Sequence, residues 1–316
     1  MNGGLGPLGL RRGSRMEGCK VKGHPVPPAL VGELEDSGAL LADPPALRER
    51  LAADGYLFLK GVLPRTDVQA ARREVFERLA AVDEIGPPAE AGIATGNSRR
   101  AELEPDRGRF WKSVSEGLRL RALSHGQAMA RVMALVFGEP ARPQDYLFLR
   151  PGAPGRATGL HFDYPFFARH HEQLLTAWLP IGDVPVDEGP LVIVEGSNRF
   201  ADMIDPMRGF DISVDPARKA DLGSDAIRFA EARGARLLTR NFEAGDIALF
   251  GMTTAHGSLD NHSATNRVRL SCDLRWQPAS RPLDARYFGA DPPGTTGAGY
   301  AELNGAKPLT QDWHVR

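Results

Sequence analysis

Between residues 146 and 276 the chain breaks into short apolar or alternating runs at 146–150, 159–163, 174–179, 191–194, 246–250 and 268–276, with Gly, Pro and charged residues between them. Runs of this length closed by turn residues are strands, and a series of them builds a sandwich or a barrel rather than a helical bundle. One stretch, roughly 200–234, interrupts the series with polar, partly helical sequence; an insertion between core strands is a candidate lid over a site.

Upstream the pattern is helical. Asp43 can cap a helix with Pro44 in its first turn, Leu47 and Leu51 one turn apart, and Gly55 as its stop. A strand over 56–60 follows, and Val68, Ala71, Val75, Leu79 and Val82 then lie on one helical stripe. Periodicity disappears over 83–109, which reads as a long loop in which Arg99, Arg100, Arg107 and Arg109 interleave with acids on a solvated face. A further helix is expected near 127–137, stopped by Gly138.

A composition of 42% hydrophobic and 25% charged residues with a formal net charge of -1 is that of a globular protein and gives no electrostatic reason to expect a nucleic acid partner. No apolar run reaches the roughly 18 residues a membrane-spanning helix needs, and the Arg-containing start at 1–15 lacks the apolar stretch of a signal peptide. Cys19 and Cys272 are too few for a disulfide framework and suit a reducing cytoplasm, with Cys272 packed inside a strand.

The chemistry concentrates in Leu160-His161-Phe162-Asp163-Tyr164 and, far downstream, Thr254-Ala255-His256-Gly257-Ser258. In a strand alternate residues share a face, which points His161 and Asp163 one way and Phe162 the other. Two imidazoles and one carboxylate can occupy one face of an octahedral Fe(II) ion and leave three positions open. His256 follows an apolar strand after a short turn, where a loop at a barrel mouth would place it, and Gly257 and Ser258 permit close approach to a ligand. Arg267, eleven positions past His256, opens an alternating strand with Arg269, Ser271, Asp273 and Arg275 on one face. An inward guanidinium there can grip a carboxylate through two parallel charge-assisted hydrogen bonds. Pairing with an internal Asp or Glu is the alternative for Arg267 and the expectation for Arg269 and Arg275.

Together these residues resemble the phytanoyl-CoA dioxygenase family of Fe(II)- and 2-oxoglutarate-dependent oxygenases, over most of the chain from Asp54-Gly55-Tyr56 to the end of the 268–276 strand. The resemblance implies a mainly β fold with flanking helices around a double-stranded β-helix, a cupin-like jelly roll. It also implies an iron site at His161, Asp163 and His256, and 2-oxoglutarate held by Arg267, at the family's spacing of eleven, with Ser258 in contact. Gln144, six positions before Arg150-Pro151-Gly152, matches a glutamine that some members place near the co-substrate; the alternative is a solvent-facing strand start. Trp178, on the face of Thr176, is a further candidate beside the co-substrate, with core packing as its alternative. The segmentation expected is a flexible leader over 1–42 and a single oxygenase domain over 43–316. Within that domain the expectation is a helical part at 43–140, a jelly-roll core at 141–280 with an insertion near 200–235, and a tail at 281–316.

The activity implied consumes O2 and 2-oxoglutarate, releases succinate and CO2, and hydroxylates a small organic substrate. Asp163 favours hydroxylation, because relatives that halogenate carry a small residue there. Tyr164, Phe166, Phe167, Arg169 and His170 follow the motif and are candidates for the substrate pocket. Two rivals remain. A jelly-roll binding protein without turnover would be expected to have lost one of His161, Asp163, His256 and Arg267, all of which are present; a zinc-dependent hydrolase accepts the same three ligands but gives Arg267 no role. The sequence shows no CoA signature and sets neither the substrate nor the oligomeric state.

Overall fold

The computed structural model describes residue 16 and residues 18–220, 222–223 and 225–311. Two sheets face each other. In chain order the strands are β1 (Lys20–Val21), β2 (His24–Pro25), β3 (Val31–Glu33), β4 (Tyr56–Leu59), β5 (Ala141–Pro143), β6 (Phe148–Gly152), β7 (Leu175–Pro180), β8 (Leu191–Val194), β9 (Leu237–Thr239), β10 (Ile247–Gly251), β11 (His256–Ser258) and β12 (Arg269–Pro278). The larger sheet runs β4-β10-β7-β12-β5, with β6 also paired to β12, and all its pairings are antiparallel. The smaller runs β11-β8-β9-β3, in which β3 joins β9 in parallel. β1 and β2 form a separate hairpin.

The period-two alternation of the strands decides what lies between the sheets. Tyr56, Phe58, Trp178, Ala248 and Phe250 point inward from the larger sheet and meet Leu191, Ile193 and Leu238 from the smaller one. The opposite face of the larger sheet, with Leu57, Leu59, Ala177, Leu179, Leu249, Cys272, Leu274 and Trp276, is roofed by helices. Every residue of β12 is buried, as expected of a strand covered on both faces.

The helices end where their sequence says they should. Asp43 accepts from the Ala46 amide at 3.2 Å, Pro44 opens the helix Pro44–Asp54, and Gly55 closes it at φ 78°. Helix Arg65–Ala80 buries Val68, Ala71, Val75 and Leu79 against the sheet, and Gln127–Phe137 stops at Gly138 with φ 75°. Among the described residues no helix is long and apolar enough to cross a membrane.

Several segments depart from the sequence reading. The 159–163 run is not a ladder strand: only His161 makes a bridge, and the chain then turns into the short helix Tyr164–Phe167. Ordered structure begins well before residue 43, because β3 completes the smaller sheet; of the expected leader, residues 1–15 and 17 lie outside the described residues. The 83–109 segment holds the helix Arg100–Leu103 and the start of Arg107–Ser115. Arg99 pairs with Glu102 in the open, but Arg100 is only 1% exposed, with Nη2 on Glu84 at 2.5 Å and Nη1 on the Gly305 carbonyl at 2.8 Å. Within the tail, 3-10 turns at Gly299–Glu302 and Asn304–Ala306 lie against the helix Arg107–Ser115.

Arg100 therefore ties three distant segments together through a buried pair, and removing one member of such a pair costs about 3–5 kcal/mol because the other charge stays buried. Arg100→Met is expected to lower the free energy of unfolding by about that amount in urea denaturation; a loss below about 1 kcal/mol, the range of exposed pairs, would contradict this role.

Candidate metal centre

The two histidines are brought together by backbone, not by side chains. His161 donates its amide to the His256 carbonyl at 3.0 Å and accepts from the His256 amide at 3.1 Å. This reciprocal pair places the imidazole centroids 4.3 Å apart. Phe162 turns into the core, and Asp163 returns to the histidine side with Oδ1 3.7 Å from His161 Nε2 and Oδ2 3.9 Å from His256 Nε2. One ligand atom from each of the three lies within 4.8 Å of the others. That convergence fits a two-histidine, one-carboxylate face with the remaining positions open.

The ring tautomers are fixed. Nδ1 of His161 lies 3.0 Å from the Gly159 carbonyl and Nδ1 of His256 lies 3.0 Å from the Thr254 carbonyl. A carbonyl only accepts, which makes each Nδ1 the protonated nitrogen and leaves each Nε2 lone pair free for a metal. Burial, above all, pulls both imidazoles down from their ordinary values, His256 to about 3 with His161 as the next cause, and keeps both neutral. Gly257 lets β11 press against the 158–159 backbone, since a Cβ there would come 2.7 Å from the Thr158 carbonyl oxygen.

Asp163 is buried, and burial alone would push its carboxyl up; the Arg275 guanidinium and a hydrogen bond from Thr176 outweigh this and hold it well below the usual carboxylate range. Arg275 Nη2 reaches both carboxylate oxygens, at 2.9 and 2.8 Å, and its guanidinium lies 4.6 Å from the Phe148 ring centroid and 4.0 Å from that of Phe167. Pairing with an internal acid is what the sequence reading expects of Arg275, and Asp163 is that acid; Thr176 was not singled out from the sequence. The register Arg275↔Thr176 between β12 and β7, unreadable without the pairing, puts the two side by side under the carboxylate.

His161 and Asp163 open onto a cavity. Its apolar wall includes Phe148, Leu160, Phe166, Phe167 and Leu303, and its polar positions include Arg150, Thr158, Arg275, Thr295 and Asn304. Phe166 and Phe167 are thus among the residues expected at the pocket, whereas Tyr164 binds Glu172 and the Gly209 amide, Arg169 pairs with Asp211, and His170 is exposed. The insertion reaches the same wall through Ala220, and it is pinned by the Leu222 amide on the Leu160 carbonyl at 2.9 Å.

The co-substrate candidates do not converge as neatly. Arg267 gives Nη1 to both oxygens of Glu188, at 2.8 and 2.6 Å, the internal pairing that was its alternative. Ser258 accepts from the Thr158 amide at 2.8 Å, and Trp178 packs on Phe242 with centroids 4.7 Å apart, inside the barrel. Gln144 is 1% exposed rather than solvent-facing, and neither amide atom of its side chain has a hydrogen-bond partner among the described residues.

The phytanoyl-CoA dioxygenase (PhyH) family profile matches residues 51–269. Two curated relatives, 1-deoxypentalenic acid 11-beta-hydroxylases of Streptomyces arenae and Streptomyces exfoliatus, are 28% and 27% identical over 78% and 79% of this chain and 85% and 87% of their own lengths. Among solved structures, the epimerase SnoN of nogalamycin biosynthesis aligns with a TM-score of 0.50 at 22% identity over 85% of this chain and 93% of its own. EctD of S. alaskensis in its apoform aligns with 0.51 at 16% identity over 96% and 97%. At these identities the two structures show the fold, a jelly roll with flanking helices.

The contact at Gly257 gives a direct check on the site. Gly257→Ala is expected to force β11 away from the 158–159 backbone, shift His256, and weaken Co(II) or Fe(II) binding by on the order of tenfold or more in calorimetry. Unchanged affinity would mean that β11 accommodates the methyl group without moving the imidazole.

Proposed function

Because the chain belongs to the phytanoyl-CoA dioxygenase family of Fe(II)- and 2-oxoglutarate-dependent oxygenases, we propose that His161, Asp163 and His256 hold the ferrous ion of a hydroxylase acting on a small, largely apolar organic acid. One observation supports this reading above the others: two Nε2 atoms with tautomers set by backbone carbonyls meet a carboxylate held by Thr176 and Arg275, at the edge of an aromatic-walled cavity. Bound there, iron would supply the redox chemistry that couples oxidative decarboxylation of 2-oxoglutarate by O2 to hydroxylation of a C–H bond. The overall balance is substrate, 2-oxoglutarate and O2 giving hydroxylated substrate, succinate and CO2.

The side chains of this protein supply position and exclusion of water. Thr176 and Arg275 fix the orientation of the Asp163 carboxylate, and Phe148, Phe166, Phe167 and Leu303 offer an apolar wall to a substrate skeleton. Arg150 lines the cavity while pairing with Asp273. The two curated relatives are named for hydroxylation of 1-deoxypentalenic acid, and the combination of apolar wall and guanidinium fits an organic acid of that general kind. Cys19 and Cys272 are buried and unpaired, which supports a reducing compartment such as the cytoplasm.

Incubation with Fe(II), 2-oxoglutarate and a metabolite pool is expected to release succinate together with a product heavier by one oxygen. His161→Ala and Asp163→Ala are each expected to reduce succinate release to background. Equal release by wild type and both variants would remove the assignment.

A further inference from the structure

Most of the polar side chains in the cavity wall already have partners. Arg275 is committed to Asp163 and covered by the rings of Phe148 and Phe167, Arg150 is committed to Asp273, and the Thr295 hydroxyl lies 2.9 Å from that of Tyr287. The Glu302 carboxylate accepts from the Thr295 amide at 2.8 Å, the Thr296 amide at 2.7 Å and the Tyr146 hydroxyl at 3.3 Å. Two side chains differ: among the described residues, neither the Thr158 hydroxyl nor the Asn304 carboxamide makes a hydrogen bond. Thr158 belongs to the segment that β11 locks beside the metal ligands. Asn304 comes from the C-terminal segment, on the outer wall.

A rigid frame presents Asn304. It opens the 3-10 turn Asn304–Ala306, which the Lys307 amide closes onto the Asn304 carbonyl at 3.1 Å. Leu303 on one side is buried in the core, and Gly305 on the other lies under the Trp111 indole with its carbonyl held by Arg100. The turn packs on β6, the strand that brings Phe148 and Arg150 to the same cavity. A half-buried carboxamide fixed in this way among Phe148, Phe166, Phe167 and Leu303 is the kind of polar group that orients a skeleton in an apolar pocket. Its NH2 can donate and its oxygen can accept. Glu302, two residues earlier on the same wall, is acceptor-only when ionised and disfavours a second carboxylate at this position.

Resting on the oxygenase reading above, we infer that Asn304 is a specificity-determining residue whose carboxamide hydrogen-bonds an uncharged oxygen of the substrate, a hydroxyl or a ketone. The substrate acid therefore carries this second oxygen function on its apolar skeleton, at a point other than the carbon that is oxidised. Held at Asn304 and along the aromatic wall, the skeleton turns one C–H bond toward His161 and Asp163, and which bond that is depends on the anchor. A skeleton without the oxygen leaves the amide unpaired against hydrocarbon, which is how a pocket rejects it.

The test follows the compound that wild type consumes from the metabolite pool. Acetylation and oxime formation, read by mass spectrometry, report whether it carries a hydroxyl or a ketone. Its kcat/KM and its product isomers are then compared among wild type, N304L and N304D. N304L is expected to lower kcat/KM by on the order of tenfold or more, chiefly through KM, and to give additional product isomers because the skeleton is no longer fixed. N304D separates the two oxygen types: a carboxylate accepts from a hydroxyl but cannot donate to a ketone, so it keeps most of the kcat/KM for the first and loses it for the second. N304S replaces N304L if the latter does not fold. Co(II) affinity by calorimetry is expected to be the same in every variant, which separates loss of the anchor from damage to the metal site. A consumed compound with neither hydroxyl nor ketone, an N304L variant with unchanged kcat/KM and a single product, or a fall in Co(II) affinity matching the fall in turnover would overturn the inference and leave the oxygenase reading standing. Wild-type protein that consumes nothing from the pool and releases no succinate would overturn both.

Discussion

Two hydrogen bonds between His161 and His256 hold the site together. The residues are 95 positions apart in the chain, and their reciprocal amide–carbonyl pairing locks the segment before Asp163 to the smaller sheet at the ligands themselves. His256 is itself held by the pairing of β11 with β8, opposite Ile193. Segment 158–161 lies along the free edge of β11, with the Ser258 amide on the Thr158 carbonyl and the Ser258 hydroxyl accepting from the Thr158 amide. Each histidine thus inherits the rigidity of a sheet although neither sits inside a long strand. After the bridge the chain leaves extended geometry, and Asp163 adopts φ -77° and ψ -16°. Its carboxylate closes the triangle from a helical turn.

Burying that carboxylate sets the next constraint. An ionised carboxylate removed from water costs several kcal/mol unless it is paired and hydrogen-bonded, and Asp163 is compensated from the larger sheet by Thr176 on β7 and Arg275 on β12. Arg275 in turn lies against the rings of Phe148 and Phe167, whose faces favour a cation. The smaller sheet therefore fixes the histidines and the larger sheet fixes the acid. The site exists only when the two are packed face to face, and the inner core around Phe58, Trp178, Phe242 and Phe250 maintains that packing.

What the sequence made legible follows from how local each signal is. Helix limits at Asp43, Gly55 and Gly138 were readable because caps act within a turn of the residue that makes them. The three converging ligands were readable because their residue types and spacing are demanding. Strand 159–163 was overestimated because alternation over five residues does not reveal that only one residue finds a partner. Charge partners were the least legible: Arg100 with Glu84, Arg267 with Glu188 and Arg275 with Asp163 join residues from 16 to 112 positions apart, and no periodicity encodes which guanidinium meets which carboxylate. A motif count along the chain selects Arg267 for the same reason that it misses Glu188, since the competing acid lies on another segment.

The cavity wall obeys different rules from the ligands. Phe148 and Arg150 come from the sheet, but Ala220 comes from the insertion and Thr295, Leu303 and Asn304 from the C-terminal segment. Those outer pieces are fastened by side chains and single backbone contacts rather than by ladders. Gly305 lies so close under the Trp111 indole that a Cβ would come within 2.0 Å of it, and Arg100 holds its carbonyl. On the insertion, the Ile212 amide donates to the Pro165 carbonyl at 3.0 Å and the Leu222 amide to that of Leu160 at 2.9 Å. Substitutions at the tips of such segments alter the shape of the wall without loading the His161–His256 pairing or the Asp163–Arg275 contact. Chemistry and selectivity are therefore mechanically separable in this protein: the sheets conserve the geometry that holds the metal ligands, while the insertion and the C-terminal segment are free to set which skeleton lies beside them.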